Sequence, residues 1–139
     1  MKYAIPLFCL LAFLFAGCGE GSVDIHSVSR ETKAYETAVV EQMDAGQLIA
    51  HLLGLADEMS AAVDQGAYVE MHHLEIALTK ALAVLEREAP AAAKSTIGDL
   101  KILAVKIHEA GHDQNESMAR KLDRTLRERI LQLQSQLEE

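Results

Sequence analysis

The chain has no tryptophan, and aromatic residues fill only 4% of its 139 positions. Its 50% hydrophobic content is therefore mostly Ala, Leu, Ile and Val, a mixture that favours helices over a β-sandwich. Cations are outnumbered, 13 Lys+Arg against 21 Asp+Glu for a net charge of -8. That balance argues against nucleic acid as a partner, because gripping phosphates needs a surplus of Lys and Arg. Cysteine is nearly absent too, with two residues, Cys9 and Cys18, both near the N-terminus. No glycine-rich phosphate loop, C-x-x-C-H haem attachment or recognisable nucleophilic Ser or Cys setting is present, so an enzyme is not expected. No segment alternates with period two for long enough to make a strand. The length suits one domain.

The one uninterrupted apolar run, Leu7 to Ala16, follows a single cation, Lys2. It is too short to span a hydrocarbon core, which takes roughly 20 apolar residues. A charged start, an apolar middle and small residues after it are the anatomy of a secretory signal peptide. Leu14-Phe15-Ala16-Gly17-Cys18 resembles the lipobox of bacterial lipoproteins, with Phe15 standing where Leu is commoner. The resemblance implies cleavage before Cys18 and acylation of that residue, palmitate among the chains. It also implies residence as a membrane-anchored lipoprotein, and Gly19 in place of Asp points to the periplasmic face of the outer membrane. Two or more acyl chains on one Cys anchor a protein stably. Residues 1–17 would then be the leader and 18–43 a lipidated Cys and tether, Gly/Ser-rich at its start, with Val39-Val40 able to dock on the body. The mature chain would keep no thiol for a disulfide or a zinc-thiolate site.

From residue 44 to 138 the pattern predicts four amphipathic helices. Asp44-Ala45-Gly46-Gln47 fits a capping box, and Leu48, Leu52, Leu55, Met59, Ala62 and Val63 recur at three- and four-residue steps until Gln65-Gly66. A second helix, from about Ala67 to Glu88, has the seam Met71, Leu74, Leu78, Leu82 and Leu85. Pro90 suits the first turn of a third helix. That helix turns Ile97, Leu100, Leu103, Ala104 and Ile107 inward and ends near Gly111, expected as its C-terminal glycine. Asp113-Gln114-Asn115-Glu116 would start a fourth helix, with Ala119, Leu122, Leu126, Leu133 and Leu137 on one side. Short connections between helices of about 20 residues give an all-α, up-down-up-down antiparallel four-helix bundle.

Six histidines are present: His26, His51, His72, His73, His108 and His112. His72 and His108 are each eighteen positions from Pro90, so an antiparallel pair of helices puts them at one height, roughly 27 Å from the turn. His108 and His112 share a face at i, i+4, and His73 should point away from the seam. Met59, Met71, Glu75 and Met118 fall at the same end of the bundle. Imidazole with thioether suits copper, and imidazole with carboxylate suits zinc, cobalt or nickel. The candidate ligands of a divalent transition metal are therefore His72, Glu75, His108, His112 and Met118; no other cofactor is called for. Against this, methionines at helical spacing commonly fill cores, and histidines in a last turn favour the carbonyl end of the helix dipole.

His108-Glu109-Ala110-Gly111-His112 matches H-E-x-x-H, in which two His bind zinc and the Glu activates water. Without a strand to hold substrate, and across an expected helix end, a zinc hydrolase ranks last. Glu70-Met71-His72, Leu74, Leu78, Ala81, Leu82 and Ile107-His108 are similar to a pattern in small proteobacterial periplasmic helical proteins of a domain of unknown function. The resemblance singles out His72 and His108 as a pair. Two readings follow. The first is an envelope lipoprotein whose bundle is a non-catalytic interaction or scaffold module for a protein partner. The alternative is a periplasmic metal-binding or metal-stress protein. Convergence of His72 and His108 separates them.

Overall fold

In the computed structural model, residues 31–138 are described. The expected leader, Cys18 and His26 lie outside that range. Four α-helices follow one another: α1 (Ala45–Gln65), α2 (Tyr68–Glu88), α3 (Ala91–His112) and α4 (Glu116–Glu138). Each packs on its sequence neighbours, and α1 closes the square against α4. This is the expected up-down-up-down bundle, with no strand among the described residues. None of the described helices is long and apolar enough to cross a membrane.

Local chemistry sets the element ends. Asp44 accepts from the Gln47 amide at 2.8 Å, and Gln47 Oε1 accepts from the Asp44 amide at 3.0 Å, a reciprocal capping box at the start of α1. Gly66, at φ 62°, takes the left-handed position after α1, while the Ala67 amide donates back to the Ala62 carbonyl at 2.8 Å. Together these close the helix in a Schellman turn. Ala89 is extended because Pro90 follows it. Pro90 itself precedes the first turn of α3 as its N-cap.

The core is a single cluster of aliphatic side chains along the predicted seams. Leu52, Leu55, Met59, Leu74, Leu78, Leu82, Ile97, Leu100, Ile107 and Leu126 are each fully buried or nearly so. Burying one such side chain contributes about 1.5–3 kcal/mol, so this shared seam dominates the fold's stability. On α4 the expected face is only partly right. Ile130 and Asp123 are buried beside Ala119, Leu126 and Leu133, whereas Leu122 and Leu137, like Leu103 on α3, are only partly covered.

Two further expectations are corrected. Gly111 does not terminate α3; it lies inside the helix, buried against α2. A Cβ there would meet Met71 Cε at 3.0 Å and Tyr68 Cδ1 at 3.4 Å, so glycine serves a close approach of α2 to α3. The left-handed residue that ends α3 is Gln114, at φ 52°, with the Asn115 amide bonded to the Ala110 carbonyl at 2.8 Å. Asn115, not Asp113, then caps α4, its Oδ1 accepting from the Met118 amide at 3.1 Å.

The stretch before α1 is more than a spacer. Residues Ala34–Thr37 and Val40–Gln42 form two 3-10 turns laid against α2. Val40 is buried while Val39 stays exposed, and Tyr35 Oη donates to Glu70 at 2.5 Å. Lys33 reaches Glu58 and Glu70, and Lys80 reaches Glu41. This strap therefore runs along α1 and α2 from the end that carries the histidines to the far end of the bundle.

Candidate metal centre

Helix α2 presents His72 and Glu75 one turn apart, and α3 presents His108 from across the seam. Gly111 and Met71 bring the two helices together at this end, which lets short imidazole arms meet. His72 Nδ1 and His108 Nε2 are 3.1 Å apart, and Glu75 Oε2 stands 3.7 Å from His108 Nδ1. One ligand atom from each of His72, Glu75 and His108 can be chosen so that all lie within 4.8 Å of one another. All three side chains are partly buried at the bundle flank. Thr79 Oγ1 donates to the other Glu75 oxygen at 3.3 Å, an outer hydrogen bond of the kind that orients a ligating carboxylate.

Either imidazole can be the donor of this contact. If His72 Nδ1–H donates to His108 Nε2, then His108 Nδ1 carries its own proton toward the Glu75 carboxylate. Every group then faces a complementary one, and the opposite tautomer would turn a lone pair on Glu75. Bond lengths of about 2.0–2.1 Å to zinc put two tetrahedral nitrogen ligands a little over 3 Å apart. The observed 3.1 Å between His72 Nδ1 and His108 Nε2 is already close to that separation. Two His and one Glu also leave a tetrahedral position open.

The five expected ligands do not all gather. His72, Glu75 and His108 do. His112 lies beside them, its ring centroid 4.6 Å from that of His108, with an exposed side chain at the last residue of α3. Met118 does not join them. It lies in a groove between α3 and α4 with Lys106, Glu109, Asp113 and Leu122, across α3 from the rings. Glu109 lines that same groove, so the H-E-x-x-H glutamate faces away from the cluster. Met59 is core, and Met71 packs on Gly111.

Sequence reasoning missed a fourth imidazole. His73 is 5.5 Å from His72 between ring centroids, and its Nδ1 is 3.4 Å from Glu36 on the strap. His73, His72, His108 and His112 thus form one row across the α2–α3 flank, with successive centroids 5.5, 4.5 and 4.6 Å apart. The adjacency of His72 and His73 was visible, but Glu36 comes from a segment without helical period. His51 is elsewhere, on α1 beside Lys33, Tyr35 and Glu58. Burial lowers its pKa, so the fold favours the neutral ring over the charged one. Protonating it therefore costs stability that is intact at neutral pH and is lost as the pH falls through the lowered value. No family model, curated protein or solved structure matches the chain.

Proposed function

We propose that this chain is a lipid-anchored envelope protein whose bundle binds a late first-row divalent metal ion through His72, Glu75 and His108. The observation that carries the reading is the 3.1 Å approach of His72 Nδ1 to His108 Nε2 across two helices, with Glu75 beside them. Zinc, copper(II), nickel and cobalt(II) all suit imidazole and carboxylate donors. In this reading the ion binds between the rings and ties α2 to α3, the His72 Nδ1 proton leaving to water while that ring takes one at Nε2. Anchorage at Cys18 comes from the lipobox resemblance.

The test is thermal denaturation of a Cys18→Ser chain titrated with each ion. Binding to the folded state alone adds RT ln(1 + [L]/Kd), about 2.7 kcal/mol at a hundredfold excess over Kd. For a domain of this size that is a rise of roughly 10 °C in Tm. The rise should vanish in the His72→Ala/His108→Ala double variant. An unchanged Tm with every ion, or an equal rise in the double variant, overturns the reading.

The interaction-module reading keeps one observation in its favour. Ile102 and Val105, three residues apart on α3, are exposed at 56% and 41%, an apolar pair with no cover among the described residues. Ile102→Glu should abolish co-purification of any bound protein while leaving the fold intact. A partner retained by that variant removes this reading.

A further inference from the structure

The row of imidazoles is not symmetrical. At one end His73 is held against Glu36 of the strap at 3.4 Å, with a third of its side chain exposed. In the middle His108 and Glu75 each expose only 16% of their side chains. At the other end His112 is exposed, on the last turn of α3, and its ring lies 4.6 Å from that of His108. A partly buried cluster of three donors therefore has one exposed imidazole next to it and one imidazole covered by the strap.

We infer that His112 is the port of this site: an incoming ion is first captured by His112, passed to His108 and settled on His72, Glu75 and His108. Release runs the same way in reverse. The inference rests on the metal-binding reading above. It adds that the ion is exchangeable cargo, a labile divalent cation, and not a permanent structural ion. The chemistry is ligand substitution, with the His72 proton moving from Nδ1 to Nε2 through water as the ion settles and back as it leaves. A bond from the metal to a His112 nitrogen forms at the open coordination position before a bond to His108 or Glu75 breaks, and the ion keeps its charge throughout. His108 and His112 are four residues apart on one helix, so they stay neighbours while the ion changes hands. His73 is the more distant end, its centroid 5.5 Å from that of His72 and its side chain beside the strap residue Glu36.

This is tested by stopped-flow kinetics on the full-length chain in detergent, with Cys9→Ser and Cys18→Ser so that no thiol competes. Cobalt(II) loading is followed by its visible absorption, and release by transfer to excess EDTA. The parent, His112→Ala and His73→Ala proteins are compared. Loading and release in His112→Ala should both slow by about tenfold or more. Its equilibrium affinity should stay within about threefold, and its cobalt spectrum should match the parent's, because the resident ligands are untouched. His73→Ala should exchange at the parental rate. Free imidazole added to His112→Ala should restore the rate, since it supplies the missing transient donor.

Unchanged rates in His112→Ala overturn the port while leaving metal binding standing. A loss of affinity of about 100-fold with faster release, the size expected for removing a true ligand or its close support, also overturns it by making His112 a fixed ligand. No cobalt bound by the parent protein, together with a Tm that none of the four ions raises, removes the metal-binding reading itself, and the port with it.

Discussion

Asp123 stands on the face of α4 that packs on α1, only 8% exposed, where it accepts from Ser60 Oγ at 3.0 and 2.8 Å. Burial raises its pKa, Asp64 adds to the rise, and the Ser60 hydrogen bond with Arg127 and Arg124 pulls the other way without cancelling it. The sign follows from linkage. A carboxyl whose folded pKa is raised stabilises the fold most when protonated, below its ordinary pKa, and that contribution is lost as the pH rises through the raised value. Asp123→Asn keeps an oxygen for Ser60 and removes the charge. It should therefore raise stability at pH 7 by up to about 1 kcal/mol, allowing for solvent that still reaches the group. The gain should shrink to nothing near pH 3. Urea denaturation at the two pH values checks this, and a variant less stable at pH 7 would show that the charge is favourable where it sits. Nothing in the sequence marks Asp123 for burial, because α4 is rich in Arg, Lys, Asp and Glu. Its place is set by a partner 63 residues away.

At the scale of elements, the helices and their seams were legible because three- and four-residue spacing and capping chemistry are local. Asp44 with Gln47, Gly66, and Pro90 each act within one turn of the backbone they control. The strap was not legible, because Val40 and Tyr35 are ordered by contacts with α2 and not by a period of their own. The end of α3 was legible to within one residue, but the residue that turns the chain there was not. Gly111 looked like a terminator, yet its missing side chain is used against Met71 and Tyr68, and the left-handed position falls to Gln114. A residue with a Cβ in that conformation costs roughly 1 kcal/mol that glycine avoids. Gln114→Gly should accordingly stabilise the protein by about 1 kcal/mol, read as a higher denaturant midpoint at unchanged m-value. A variant with no gain would mean that the Gln114 side chain makes up the difference. Gly111→Val should do the opposite and cost about 1–3 kcal/mol by overpacking, because Met71 there is 1% exposed and has little room to yield.

Taken whole, the molecule joins an acidic α1 to a basic α4. Arg120 meets Asp64 and Arg127 meets Asp57 across that seam, while Lys101 and Glu86 pair at 2.7 Å between α3 and α2. These exposed pairs contribute little to stability, but they set the charge facing the surroundings. A net charge of -8 gives no electrostatic attraction to an anionic lipid surface, so a membrane location would have to come from the acyl chains proposed for Cys18. Lys33 is fifteen positions after Cys18, a reach of at most about 50 Å. Lys33 meets Glu58 and Glu70 at the histidine end, so the tether would join the bundle at the end that carries the metal site. On this proposal the native protein should stay with the membrane through high-salt washes, since burying acyl chains is insensitive to screening. Residues 19–139 exported behind an ordinary cleavable signal should instead be found in the soluble fraction with metal affinity unchanged, because the ligands lie in a bundle that does not use Cys18. Residues 19–139 made this way that still sediment with membranes and resist salt would rule out the lipid anchor and require some other membrane attachment.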